Sequence, residues 1–324
     1  MNKATQTFEL CVAGLAVVVL AGCSSSGSSP SGPTSTSSGS SGDATQSSDL
    51  IQREGDNGYI YPSLEEAYTG SETVEFALPS ARTAIDPGTG EAVAFDLPDD
   101  SDTRIFLVGD GEQVILSRDG EEIVFTQDPD DDGIFFGPGE SLLEAVAGNI
   151  EQSQLIPGDL SYSQFGFWTD GESELSNFYF GFMTQADDMP TGAASYSGGI
   201  QGFGIDSSGE FYDVIGSVSI DADFTSNALI GEFTNVGSGD GFEEAFANRG
   251  NWNDVSFSAD INGNQFSGTT AVTSAGSADN AMGLEASGAV QGNFFGPQAA
   301  EAAGIWSLQD GGNMVQGSFG TVKQ

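Results

Sequence analysis

The chain has 324 residues, 48 of them acidic and 7 basic, for a formal net charge of −41. It has no histidine, its cysteines are Cys11 and Cys23, and its lysines are Lys3 and Lys323, which removes the Ser-His-Asp triad, the Cys-His pair, His or Cys zinc sites and a lysine nucleophile as sources of chemistry. The charge argues against nucleic acid and anionic lipid surfaces as partners; it fits either an acidic surface adapted to salty surroundings or one tuned for a basic protein partner.

An apolar run from Leu10 to Leu20 follows Lys3. At 1.5 Å per residue it makes a helix of about 16 Å, roughly half of what a bilayer core requires, so it predicts a signal-peptide core rather than a span. It ends in Leu20-Ala21-Gly22-Cys23, and this LAGC resembles the lipobox of bacterial lipoproteins. The resemblance implies a signal peptide over 1–22, cleavage before Cys23, a diacylglycerol thioether on that sulfur and often a third acyl chain on its amine. Two or three chains attach stably to a membrane. Cys11 leaves with the leader and lipid blocks Cys23, so no free thiol and no disulfide is expected. Residues 23–48 then read as the lipidated cysteine and a Ser/Gly-rich disordered tether, able to hold a folded module about 25 to 30 Å from the membrane.

Residues 49–157 predict a smaller β-rich domain. TVEFAL (73–78) and EAVAFDL (91–97) alternate apolar and polar. TRIFLVG (103–109), EQVILSR (112–118) and EEIVFT (121–126) do the same around Asp110-Gly111 and Asp119-Gly120, the two-residue hairpin signal, and so predict a three-stranded meander. Capping boxes at Ser63 with Glu66 and at Ser141 with Glu144 predict two short helices, the second closed by Gly148-Asn149. In DPDDDG (128–133), Asp128, Asp130 and Asp132 hold positions 1, 3 and 5 of a calcium loop with Gly133 at position 6, a spacing at which hard oxygen ligands can wrap Ca²⁺. Position 12 is Gly139, with Glu140 one residue late, and Gly137-Pro138 forbids the helix that should follow, so an acidic turn is the alternative.

From 158 to 324 the strands lengthen. In YDVIGSVSIDADF, Tyr212, Val214, Gly216, Val218, Ile220, Ala222 and Phe224 share one face, against Asp213, Ser217, Ser219, Asp221 and Asp223 on the other. The pattern recurs at Val255, Phe257, Ala259 and Ile261, turns at Asn262-Gly263 and returns through Phe266, Gly268 and Thr270. Leu284, Ala286, Gly288, Val290, Gly292 and Phe294 line a further face, with glycines that suit a bent sheet. No helix is long enough for a crossover. The fold class is therefore all-β: an antiparallel up-and-down barrel of about eight strands, preceded by the smaller β-rich domain. A barrel of that size is filled by side chains or holds one small ligand, and the inward glycines leave room for one. In GNFFGPQAAEAAGIW (292–306), Phe294 is predicted inward and Phe295 outward. Gly296-Pro297 ends the strand, Gln298 to Ala303 make a helical turn, Gly304 releases the chain into the next strand, and Glu301 accepts hydrogen bonds at the corner.

Taken in order, LSYSQFGFW (160–168), FGFMT (180–184), MPTGAASYSGGIQG (189–202), FSADINGNQFSGT (257–269), GAVQGNFFGPQAAEAAGIW (288–306) and VQGSFG (315–320) resemble the β-barrel domain of the transferrin-binding protein B-like surface lipoproteins of Gram-negative bacteria, over residues 160–324. The resemblance implies a handle-like role for residues 49–157, a single lobe where full members have two, and an outer-membrane, cell-surface position held by the lipid anchor. It also implies non-enzymatic recognition of a protein or solute ligand through barrel loops, with no cofactor. No segment matches a transferrin contact surface, so the ligand's identity does not carry over. Phe165, Phe167, Trp168, Tyr179 and Trp252 are candidates for contact or core. The alternatives are a lipocalin-like carrier of a small apolar molecule and, last, a carboxylate-pair hydrolase, for which no acidic pair stands at recognisable spacing.

Cys23→Ser is expected to abolish lipidation, leaving the protein released from membranes or held at precursor size. Detergent phase partitioning with a size measurement checks this; a mature-sized variant that still enters the detergent phase refutes the anchor.

Overall fold

The structure, a computed structural model, describes residues 44–54, 58–85, 92–96, 102–109, 111–128, 131–139, 141–145 and 160–324. The first part contains β1 (Thr45–Gln46), β2 (Gln52–Arg53), β3 (Tyr59–Ile60), α1 (Leu64–Thr69), β4 (Val74–Ala77), β5 (Ser80–Ile85), β6 (Ala92–Asp96), β7 (Arg104–Leu107), β8 (Gln113–Arg118), β9 (Glu121–Asp128), β10 (Asp131–Phe136), β11 (Leu142–Ala145), β12 (Ser163–Thr169) and β13 (Glu174–Gly181). Apart from the β2-β3 ribbon, these strands form one 11-stranded sheet in the order β1-β4-β7-β8-β9-β10-β11-β12-β13-β5-β6. The predicted meander is β7-β8-β9; Asp119 and Gly120 between its last two strands both take positive φ, 51° and 83°, as a type I′ turn requires. The first capping box starts α1: Ser63 Oγ accepts from the Glu66 amide at 3.1 Å and the Glu66 carboxylate accepts from the Ser63 amide at 2.8 Å. The sheet curls on itself. Phe76 of β4 and Phe180 of β13, far apart in strand order, meet with ring centroids 5.2 Å apart in one core, and Arg118 of β8 reaches Glu174 of β13.

One stretch of this part differs from expectation. The second predicted helix is strand β11, buried along its length between β10 and β12, and the Ser141 hydroxyl donates to the Pro138 carbonyl at 2.6 Å. Burial of Leu142 to Ala145 between two strands outweighs a local capping signal; Gly148-Asn149 lies outside the described residues. In the DPDDDG stretch, Asp128 ends β9 and pairs with Asp131, and Asp132 follows in β10, so Asp128 and Asp132 stand on neighbouring antiparallel strands. Asp130 lies outside the described residues.

The second part is a closed barrel of β14 (Ala193–Ile205), β15 (Phe211–Asp223), β16 (Ala228–Gly239), β17 (Asp254–Asn262), β18 (Gln265–Ser274), β19 (Ser287–Phe295), β20 (Glu301–Asp310) and β21 (Asn313–Lys323), with one short helix, α2 (Phe242–Ala247), between β16 and β17. Strands follow one another up and down, and β14 pairs with β21 to close the wall. The barrel begins at Ala193 instead of the expected 158, because β12 and β13 belong to the curled sheet. Their alternation explains the assignment: Trp168, Phe178 and Phe180 enter the sheet's core, while Phe165, Phe167 and Tyr179 face the barrel. The inner face predicted for β15 is present. Leu284 leaves the inner face predicted for it; it precedes β19 and is 60 % exposed. The β17-β18 turn uses Gly263-Asn264, one residue later than predicted, since Asn262 pairs with Gln265.

Of the glycines predicted inward, Gly292 is covered by a ring, Gly216 by Val236, and Gly268 and Gly288 by neighbouring backbone; rings also cover Gly204, Gly231, Gly304 and Gly317. Each of Gly204, Gly231, Gly292, Gly304 and Gly317 pairs across strands with an aromatic residue, respectively Tyr212, Phe257, Phe266, Phe319 and Trp306. The rings fold over the glycines so closely that a Cβ on Gly204 would stand 2.0 Å from Tyr212 and one on Gly231 2.2 Å from Phe257. Phe233 joins them, with ring centroids 4.9 Å from Phe257 and 5.0 Å from Trp306. The barrel interior is a core rather than a vessel.

At the corner, Phe294 faces that core and Phe295 faces the sheet, where its ring meets Tyr179 at 6.2 Å. The helical turn expected over 298–303 is absent. Gly296, Gln298 and Ala299 take positive φ of 69°, 53° and 52°, which reverses the chain quickly enough for Glu301 to pair with Phe295, and Gly304 is already inside β20 opposite Gly292. Glu301 takes the role expected of it. Its Oε1 accepts from the Ser161 amide at 2.6 Å, and its Oε2 accepts from the Ser163 amide at 2.8 Å and the Ser163 hydroxyl at 2.7 Å, with the Tyr162 amide shared between both oxygens. Burial pushes this carboxyl above the usual range while the donors pull it back.

Phe294→Ala is expected to cost about 3 to 5 kcal/mol through the cavity it opens. Glu301→Gln is expected to cost about 2 kcal/mol, because an amide nitrogen would face backbone donors where an oxygen now accepts. Chemical denaturation measures both; a neutral Phe294→Ala would mean the strand register is off by one residue.

Candidate recognition surface

The two ends of the barrel are built differently. One end carries the turns 224–227, 263–264 and 296–300, and the chain between β13 and β14 is laced across it. There Thr184 N donates to the Phe294 carbonyl at 2.9 Å, Gly296 N to Phe182 at 2.9 Å and Asn264 Nδ2 to Thr184 at 2.7 Å. Buried Asp188 accepts from Gln298 Nε2 at 2.7 Å and from the Tyr61 hydroxyl at 3.1 Å. The opposite end carries the connections 206–210, 240–253, 275–286 and 311–312, which the β13-β14 segment does not reach.

The loops of this open end are held by side-chain amides. Asn253 is buried and saturated: its Nδ2 donates to the Ser274 and Met282 carbonyls, each at 3.0 Å, and its Oδ1 accepts from the Met282 amide at 2.7 Å. Asn251 Oδ1 accepts from the Ser238 amide at 3.0 Å, and its carbonyl accepts from Ser277 and Ala278. Trp252 between them is buried in the barrel core, its Nε1 donating to the Asn280 carbonyl at 3.3 Å. Gly283 N donates to Asp310 at 2.9 Å, and Ser207 N to Asn313 at 2.7 Å. Loops so fixed present a shaped surface. Asn251 and Asn253 escape sequence reasoning, although Asn-Trp-Asn placed just before a strand, with two amides flanking a large ring, is the available signal.

Glu210, Asp240, Glu243, Glu244, Asp279 and Glu285 are exposed on these loops, as is Leu284. Apart from Arg249, the described cations lie elsewhere, and all are committed. Arg82 and Arg118 pair with Glu174, Arg53 with Asp187, and Arg104 with Glu75 and Asp102. Arg249 donates to Ser217 at 2.9 Å and Lys323 to the Gln298 carbonyl at 2.9 Å. Among the described residues, none of the six loop carboxylates has a cation at ion-pair distance.

The candidates Phe165, Phe167, Trp168, Tyr179 and Trp252 are all buried, so they serve as core and seam. Cys23 and the rest of the leader and tether up to residue 43 lie outside the described residues. No helix among the described residues is long and apolar enough to cross a membrane.

Residues 189–323 match the family model of the C-lobe and N-lobe beta barrels of Tf-binding protein B. They are a transferrin-binding protein B-like barrel domain. A search of curated proteins returns no match. Among solved structures, the chain is similar to a transferrin-binding protein B from Haemophilus parasuis (18% identity, 76% of this chain, 45% of that chain, TM-score 0.48). It is also similar to one from Neisseria meningitidis (16% identity, 76% and 43%, TM-score 0.44) and to the haemoglobin receptor HpuA from Kingella denitrificans (16% identity, 74% and 92%, TM-score 0.42). The chain covers 45% of the length of the first of these. The β19-β20 turn of the transferrin-binding protein B-like barrel is where the curled sheet attaches through Phe295 and Glu301.

With the cations committed, exposed carboxylates of the transferrin-binding protein B-like barrel repel one another, and salt screens that repulsion. The midpoint of thermal unfolding is therefore expected to rise from low salt to about 0.5 M NaCl. A flat or falling midpoint would favour a surface that awaits a basic partner.

Proposed function

We propose that this chain is a lipoprotein of the outer membrane, anchored through lipid on Cys23 and displayed at the cell surface, that binds a protein ligand through the open end of its barrel and catalyses no reaction. The observation that carries the reading is the contrast between the ends: a filled barrel closed at one end by its own chain and bearing, at the other, long loops fixed by Asn251 and Asn253. Such a scaffold holds a surface rigid at little entropic cost on binding. The match of residues 189–323 to barrels of a binding protein supports the same reading. A filled interior speaks against carriage of a small apolar molecule inside the barrel.

The test is a pulldown with immobilised residues 24–324 from the organism's natural medium or host fluid, run with Leu284→Ser and with Ile230→Ser, whose parent residue is exposed on the barrel wall. A protein captured by wild type and by Ile230→Ser, and weakened at least tenfold by Leu284→Ser, is the expected result. Capture lost through Ile230→Ser alone would move the site to the wall. A small apolar mass retained in native mass spectrometry would restore the carrier.

A further inference from the structure

The start of helix α2 is held to the barrel wall by one carboxylate. Asp213 lies on the outer face of β15, paired with Phe203 of β14 and Gly239 of β16. Its Oδ2 accepts the amide of Gly241 at 2.9 Å, and Gly241 opens α2 with φ 104°. The helix lies on a glycine seat: a Cβ on Gly237 would meet the Ala245 carbonyl oxygen at 2.0 Å, and one on Gly239 the Ala245 nitrogen at 2.6 Å. Its apolar side closes the seam between barrel and sheet. Phe242 stands 5.4 Å from Phe203 of the barrel and 5.9 Å from Phe167 of the sheet, centroid to centroid, and Ala245 is buried against Ile215.

The charged groups around Asp213 are mostly of its own sign. On the α2 segment they are Asp240, next to Gly241; Glu244, which accepts from the Asp240 amide at 3.2 Å; exposed Glu243; and Arg249, which donates to Ser217. Strand β14 carries no charge, Glu232 stands further along β16, and the sheet contributes buried Glu144, which pairs with Phe167. Among the described residues no cation lies within ion-pair distance of Asp213. Burial and the charge of Asp240 push the Asp213 carboxyl up to about 7, against the pull of the Gly241 amide.

We propose that Asp213 and α2 form a proton-operated latch: with Asp213 protonated the helix stays seated over the seam, and ionisation of Asp213 beside Asp240 loosens it and uncovers Phe167, Phe203 and Phe242. The sign follows from linkage. A carboxyl raised in the seated form favours that form at low pH, and the preference is lost as pH rises from the ordinary 3.8 to about 7, with no further loss above. The latch does not depend on the identity of any ligand.

Hydrogen exchange on residues 24–324 between pH 5 and pH 8, corrected for the intrinsic pH dependence of exchange, reads the opening directly. The opening constant for the amides of 241–248 is expected to rise about fiftyfold from pH 5 to pH 7 and to level off by pH 8, while β19 amides stay unchanged. Asp213→Asn keeps an acceptor for Gly241 and should flatten the profile in the seated form. Asp240→Asn, which leaves Asp213 in place, should move the midpoint to lower pH. A flat wild-type profile, a rise that persists in Asp213→Asn, or a midpoint unmoved by Asp240→Asn overturns the latch.

Discussion

Glycine facing an aromatic ring across a strand pair is the constraint on which the barrel rests. Directly paired residues in an antiparallel sheet bring their Cβ positions about 4.5 to 5.5 Å apart, and a ring can fold flat over its neighbour only where that neighbour has no side chain. Gly204, Gly231, Gly292, Gly304 and Gly317 meet this condition for Tyr212, Phe257, Phe266, Phe319 and Trp306. The arrangement lets eight strands curve tightly and fills the space they enclose. It also fixes register, because a slip of one residue would drive each ring into a side chain and turn the whole inner face outward. Once the inside is full, recognition has only the outside to work with.

What the outside offers is decided by how the curled sheet attaches. One side of the wall is covered: Phe165, Tyr179 and Phe295 share an apolar cluster with Ala303 and Ile305. Directed bonds register the two parts, with the Tyr179 hydroxyl on Asn293 at 2.9 Å, Ser318 on the Gly166 carbonyl at 3.0 Å and Gln316 on Leu175 at 3.2 Å. Glu301 adds a buried carboxylate that satisfies three successive amides of the strand approach at 161–163. Removing either partner of such a contact leaves buried polar groups without water, so the attachment is specific as well as apolar. The same attachment draws the β13-β14 segment across one barrel end and leaves the other end to its loops.

Charge follows this division. Arg82 and Arg118 converge on Glu174 inside the curled sheet, where an unpaired buried carboxylate would be costly. At the open end, buried Asn253 and its neighbour Asn251 fix the loops with neutral amides, while Asp213 and Asp310 each accept a loop amide. A carboxylate at Asn253 could not donate to the Ser274 and Met282 carbonyls, whereas an amide supplies donors and an acceptor together.

The residue alternation of β15, β17 and β18 was enough to read the barrel's strands and inner face, because period-two patterning is a local property of the chain. It also placed Phe294 inward, Phe295 outward and Glu301 at a hydrogen-bonded corner. Local signals failed where a distant element competed: the capping box at Ser141 lost to burial between β10 and β12, and the small residues of 298–303 lost to the pairing of Glu301 with Phe295. Which aromatic rings cover which glycines, that β12 and β13 serve the sheet rather than the barrel, and that Asn253 ties two loops together all depend on contacts between residues far apart in sequence. By itself the sequence determined the strands and their two faces, since these follow from side-chain order along the chain. Only the tertiary structure decided which face meets which partner, because that depends on strand pairing and closure, where the burial of several elements is settled at once.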